Sequence, residues 1–192
     1  MKTLSAGRLG AVLCALIFGI YWLHASAAAQ TERKFQQPVL VTSSGQALDA
    51  FTVKTLLARA GVSAAYDPKA TDSALAGAKS VIIAVGASTK GFGQAGITAE
   101  TELARTKAIL DAAKAKGVAV ICVHIGGAER RKGLSVQFVE LVCPSSNYIV
   151  VSKDGNADDY FTELSKSKGI PLTVIEQSLE VGKTLASLIA HG

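Results

Sequence analysis

The sequence predicts a three-layer α/β fold: an open, mostly parallel sheet of about five or six strands with helices on both faces. Three observations carry the prediction. Short β-type apolar runs alternate with segments of helical period along nearly the whole chain. Three of these runs give way abruptly to glycine and polar residues: 80–85 into 86–96, 118–123 into 124–132, and 148–151 into 152–156. No internal repeat, low-complexity tract or linker divides the chain into modules. In an open parallel sheet the carboxyl ends of the strands share one edge, and ligands bind in the crevice along it.

The N-terminus comes first. Lys2 and Arg8 are the only charges before the uncharged stretch 9–23, and the small residues 25–29 follow. Ala25-Ser26-Ala27 and Ala27-Ala28-Ala29 both satisfy the small-x-small rule, so 1–29 reads as a cleaved signal peptide. The alternative is an uncleaved anchor over 9–29. Spanning a membrane takes about 20 apolar residues, and the run reaches that only with His24 and the alanines included. Cys14 lies mid-run, away from the small-residue end, which argues against a lipoprotein anchor. Residues 30–192 are then a single α/β domain, exported and periplasmic. Membrane contact is expected only through the N-terminal segment, if it stays.

The first strand runs over 38–42, with Pro38 tolerated at its first position. A helix from about Gln46 buries Val53, Leu56, Leu57 and Ala60 and stops at Gly61. Residues 62–66 read as a short second strand, and 80–85 as the next. The clearest helix is 98–116, where Ala99, Leu103, Thr106, Leu110 and Ala113 recur at intervals of four and three. Glu100 and Glu102 in its first turn, and Lys114 and Lys116 in its last, complement the helix dipole. Gly117 terminates it. After the strand 118–123, a helix buries Leu134, Phe138, Leu141 and Val142 and ends before Pro144. The strand 148–151 leads to a helix over 158–168 with Phe161 and Leu164 inward. The strand 172–175 precedes a last helix, capped by Ser178, that presents Val181, Leu185, Leu188 and Ile189. Joined by right-handed crossovers, these elements make a Rossmann-like or flavodoxin-like sheet.

Composition narrows the function. Removing Lys2 and Arg8 lowers the formal charge from +5 to +3. The basic residues are scattered apart from Arg130, Arg131 and Lys132, and no basic stripe or module points to nucleic acid. Cys122 in a strand and Cys143 at a helix end read as two buried small hydrophobes, with a disulfide as the alternative in an oxidising compartment. They form no Cys-x-x-Cys pair, so a thioredoxin-like site has no support in the sequence.

Chemistry concentrates in the three glycine-rich exits. Gly91-Phe92-Gly93-Gln94-Ala95-Gly96 matches G-x-G-x-x-G, but it starts too far from its strand and no acidic residue ends the next strand to hold a ribose. No cofactor is expected. A milder reading makes 86–96 an oxyanion loop, with backbone N–H groups at Gly86, Gly91 and Gly93 and side-chain donors at Ser88 and Lys90. The bland reading is an irregular loop whose glycines serve the backbone alone. His124, followed by Gly126 and Gly127, suits a polar site, while a metal is not expected because partner ligands are missing. The run 129–132 reads by default as a solvated turn; the alternative is that Arg130 or Arg131 clamps a carboxylate or phosphate across the same edge. Lys153 and Asn156 leave that edge too, where a turn and helix cap is the default reading. A Ser88–His124 pair, oriented by Asp154 or Glu176, is the only nucleophilic arrangement in sight, and Lys90 spoils the G-x-S-x-G elbow.

The phrases 85–97 and 124–131, with Gly155-Asn156 and Asp159-Tyr160-Phe161 later, resemble an uncharacterised family of exported bacterial single-domain α/β proteins. The resemblance implies that architecture and export, and it transfers no catalytic residue. The leading expectation is therefore an extracytoplasmic domain that binds a small anionic ligand, or an envelope protein partner, at the carboxyl edge of its sheet. The alternatives are a hydrolase or transferase acting on a phosphorylated or acyl substrate, and an envelope scaffold with purely structural glycine loops.

Overall fold

The computed structural model describes residues 35–190; the expected leader over 1–29 lies outside them. Six strands form one sheet: β1 (Val39–Ser44), β2 (Ala64–Tyr66), β3 (Ser80–Val85), β4 (Ala119–His124), β5 (Tyr148–Ser152) and β6 (Leu172–Ile175). Their order is β2-β1-β3-β4-β5-β6 and every pairing is parallel. This is the open parallel sheet the sequence predicts, in a flavodoxin-like order. Every residue of β1 and β3 is buried, because both sheet faces are covered.

The helices are α1 (Asp49–Arg59), α2 (Thr89–Ala95), α3 (Ala99–Lys116), α4 (Ser135–Val142), α5 (Tyr160–Lys168) and α6 (Val181–Leu188). Strand alternation sorts the core into two layers. On one face Val41, Ile82, Ile121 and Val150 pack against Val53 and Leu57 of α1 and Val181 and Leu185 of α6. On the other, Leu40, Ile83, Val120 and Ile149 pack against Ile109 and Leu110 of α3, Val139 and Val142 of α4, and Phe161 of α5. Right-handed crossovers require this division. The step from β1 to β2 runs one way across the sheet, and the steps from β3 to β6 run the other.

Four local expectations change. Residues 86–96 are not one loop: Ser88 caps α2 by accepting from the Gly91 N–H, and Gly96 ends it in the left-handed conformation. The buried stripe of α3 is Glu102, Thr106, Ile109, Leu110 and Ala113, while Ala99 and Leu103 are only half-buried. The stripe is turned because Glu102 has partners inside. Leu134 stands 44% exposed before α4 rather than in the core. Ser178 does not cap a helix; its hydroxyl donates to the Ile125 carbonyl at 2.7 Å, and α6 begins three residues later. Of the two readings of the cysteines, the disulfide is found. Cys122 and Cys143 are bonded, both buried, with Cα atoms 5.5 Å apart, a normal span for a bridge.

Candidate functional site

Strand order reverses between β1 and β3, the point where open α/β sheets bind ligands. Here the protein's own groups fill that crevice. Gln46 and Ala87 form an antiparallel bridge across it, and the Ser88 N–H donates to the Gly45 carbonyl at 2.9 Å. Gly91 lies so close to the Gln46 carbonyl that a Cβ would overlap it. Beneath them sits the fully buried Glu102. Its Oε1 accepts from the Gly45 N–H (2.9 Å), Gln46 Nε2 (3.0 Å) and Arg105 Nη2 (2.7 Å), and its Oε2 from Arg105 Nε (2.8 Å). Arg105 continues to the carbonyls of Ser43 (2.5 Å) and Ala70 (2.6 Å). Gln46 stands at φ 59°, a conformation that costs a non-glycine residue and that these bonds hold in place. A carboxylate of α3 thus takes the loop amide that an anionic ligand would otherwise contact.

One step along the edge the surface opens. A groove of about 400 Å³ is lined by Ala87, Ser88, Thr89, Lys90, Arg130, Lys132, Leu134 and Ser135. Two turns build it. The turn after β3 is tied to α4 by the Ala87 N–H donating to Ser135 Oγ at 2.9 Å. The turn after β4 is fixed from below, where Ser152 Oγ donates to the Gly126 carbonyl at 3.0 Å and the Arg130 N–H donates to the Gly127 carbonyl at 2.8 Å. Gly155 presses on that turn: a Cβ there would come 2.6 Å from the Gly126 carbonyl and 3.0 Å from His124 Cδ2. Three cations therefore rim one groove. Arg130 is 3.7 Å from Asp49 Oδ2, and Lys132 is 2.5 Å from Glu129. Lys90 has no ion-pair partner among the described residues.

His124 ends β4 fully buried beneath this edge. Its Nδ1 donates to the Val85 carbonyl at 3.1 Å, which makes Nε2 the bare acceptor of a neutral ring, and no donor reaches it among the described residues. The ring stacks on Phe161, centroids 5.5 Å apart. Burial pushes the imidazole below the usual histidine range, opposed by the Val85 carbonyl and the Asp49 charge and assisted by Arg131. Arg131 does not reach the groove. It lies over the Tyr160 ring at 4.4 Å and pairs with Asp158, whose carboxyl that hydrogen bond holds below its usual range.

The profile of the DUF6305 family, described only as a domain of unknown function, matches residues 36–189. The chain belongs to that family. No curated protein and no solved structure matches it. The matched span takes in all six strands of this DUF6305 domain and both turns of the groove.

The remaining residues singled out in the sequence separate by place. Gly86 opens the turn after β3, with room for a Cβ only 3.4 Å from Asp49 Oδ2. Gly93 is exposed on α2 with open space about it, and Gly91 is a packing contact against Gln46. Gly126 and Gly127 shape the turn that carries Arg130. Lys153 pairs with Glu176 at 2.9 Å, outside the groove. Asn156 is committed to α5: its Oδ1 accepts from the Phe161 and Thr162 N–H groups and its Nδ2 donates to Thr162 Oγ1. Ser88 and His124 share no hydrogen bond, and neither Asp154 nor Glu176 bonds to the ring. Among the described residues no group of three or more His, Cys, Asp or Glu side chains is placed to hold a metal.

Sequence reasoning missed Asp49, Glu102, Arg105 and Ser135. Only the pairing of an acid with a base three residues on, Glu102 with Arg105, was there to be found. A larger cavity, about 740 Å³, lies at the opposite edge among Leu110, Lys114, Pro144, Asn147, Lys168 and Ile170. It contains none of the candidate ligand-binding residues.

Proposed function

We propose that this DUF6305 domain is an exported binding module that takes a small anion in the groove between the turns after β3 and β4. One observation carries the reading: Lys90, Arg130 and Lys132 line a single concavity together with Ser88, Thr89 and Ser135. Cation clusters of this kind hold oxyanions by charge-assisted hydrogen bonds. Export is supported by the leader-like 1–29 and by the buried Cys122–Cys143 disulfide, a bond favoured in oxidising compartments. The buried His124 and the capping role of Ser88 speak against nucleophilic catalysis at this edge.

The test is thermal unfolding with inorganic phosphate, sulfate and citrate. A ligand at about a hundredfold excess over Kd adds roughly 2.7 kcal/mol, or about 5–10 °C for a domain of this size. Lys90→Ala and Arg130→Ala are expected to remove that shift while the unliganded melting temperature stays nearly unchanged. A shift of the same size in both variants would sink the reading. A second reading, an envelope protein docking on the same edge, has Leu48 (79% exposed) and Leu179 (69% exposed) in its favour, since both lie in turns that leave this edge.

A further inference from the structure

Arg130 is held in an unusual way. Its nearest carboxylate oxygen, Asp49 Oδ2, lies 3.7 Å from Nη2, an ion pair too long to be a hydrogen bond. That oxygen is buried and accepts no hydrogen bond among the described residues, whereas the Arg130 side chain is 52% exposed. Asp49 sits in the first turn of α1, on the far side of β3 from the groove. Arg130 spans the edge to it because residue 126 is glycine: a Cβ there would come 2.7 Å from Arg130 Cβ and 3.0 Å from Cγ. Lys132 is engaged more closely, in a hydrogen-bonded pair with the exposed Glu129 at 2.5 Å. Two of the three groove cations therefore already face a carboxylate of this chain, and in each pair the cation is open to water, which weakens the contact.

We propose, building on the anion-binding reading, that Asp49 and Glu129 are place-holding carboxylates that an incoming ligand displaces. The groove then selects a compact oxyanion with two negative charges, a phosphate monoester or a dicarboxylate. Before exchange, the three cations and two carboxylates sum to a single positive charge. A monoanion has to compete with Asp49 on equal terms. A dianion replaces both carboxylates as partner to Arg130 and Lys132 and still meets Lys90, which has no ion-pair partner among the described residues. Asp49 is thus a specificity-determining residue that acts through Arg130.

Isothermal titration of the purified protein with inorganic phosphate, succinate and acetate at low ionic strength tests this. The wild-type protein is expected to favour phosphate or succinate over acetate by about tenfold or more. Removing a half-exposed ion pair worth up to about 1 kcal/mol makes Asp49→Asn bind the dianions up to about fivefold tighter and narrows the gap to acetate. Glu129→Gln, a surface change that leaves folding alone, is expected to tighten binding by about twofold. In the Arg130→Ala background Asp49→Asn is expected to change nothing. This double-mutant cycle separates competition for Arg130 from a general loss of negative charge. Unchanged affinity in Asp49→Asn, or equal tightening with and without Arg130, overturns the exchange mechanism, and the groove reading stands if Lys90→Ala still weakens binding. Absence of heat with all three anions in every variant removes both.

Discussion

Replacing Glu102 with alanine should unfold this domain more readily than any single change on its surface. The side chain is fully buried and accepts four hydrogen bonds, two from Arg105 and one each from Gly45 and Gln46. Without it, Arg105 keeps the Ser43 and Ala70 carbonyls, but its charge, only 12% exposed, loses its counterion. Breaking one half of a buried pair costs about 3–5 kcal/mol. The Gly45 N–H becomes an orphan donor, worth about 1–3 kcal/mol if water cannot reach it. These losses share partners and do not add, so about 4 kcal/mol is expected, a large part of the roughly 5–15 kcal/mol that holds a domain together. Urea unfolding followed by far-ultraviolet circular dichroism measures it. Adding Arg105→Ala removes the stranded charge, so the double variant should be no less stable than Glu102→Ala alone. A loss under about 1 kcal/mol for Glu102→Ala, or strict additivity in the double variant, would refute the argument that this pair locks the β1–β3 crevice.

Two further expectations concern the same edge. His124 has a folded-state pKa below its ordinary value of 6.5, burial being the main cause, so the unfolded chain takes up the proton first as pH falls. Stability is fully present above about 6.5 and is lost on acidification down to the folded pKa, with a slope of at most about 1.4 kcal/mol per pH unit. His124→Asn should abolish that component, and parallel stability profiles for the two proteins between neutral and mildly acid pH would contradict it. In α2, Gly91→Ala pushes a methyl into the Gln46 carbonyl and should cost about 1–3 kcal/mol, whereas Gly93→Ala meets open space and should stabilise by about 0.5–1 kcal/mol. The reverse order in chemical denaturation would mean that the crevice is open after all.

The layered architecture was legible because alternation of short apolar runs with helical periods survives any detail of packing. Legibility failed wherever a residue's partner comes from a distant segment. Glu102 reads as a dipole-complementing acid in a first turn. Its burial depends on Gly45, 57 positions earlier, and no local pattern announces that. The glycines of 86–96 suggest a loop, yet Ser88 as cap and the approach of Gly91 to Gln46 make a short helix there. Arg130 and Arg131 are indistinguishable in sequence. A single 3-10 turn sends one toward Asp49 and the groove and the other onto Tyr160 and Asp158. Asn156, by contrast, does what its type favours ahead of a helix: it caps.

Chemical-shift mapping on isotopically labelled protein titrated with inorganic phosphate addresses the groove most directly. Amide shifts confined to residues 87–90 and 130–135 are the result expected if Lys90, Arg130 and Lys132 hold the anion together. Shifts centred instead on Lys114, Asn147 and Lys168, which line the larger cavity at the other edge of the sheet, would contradict it.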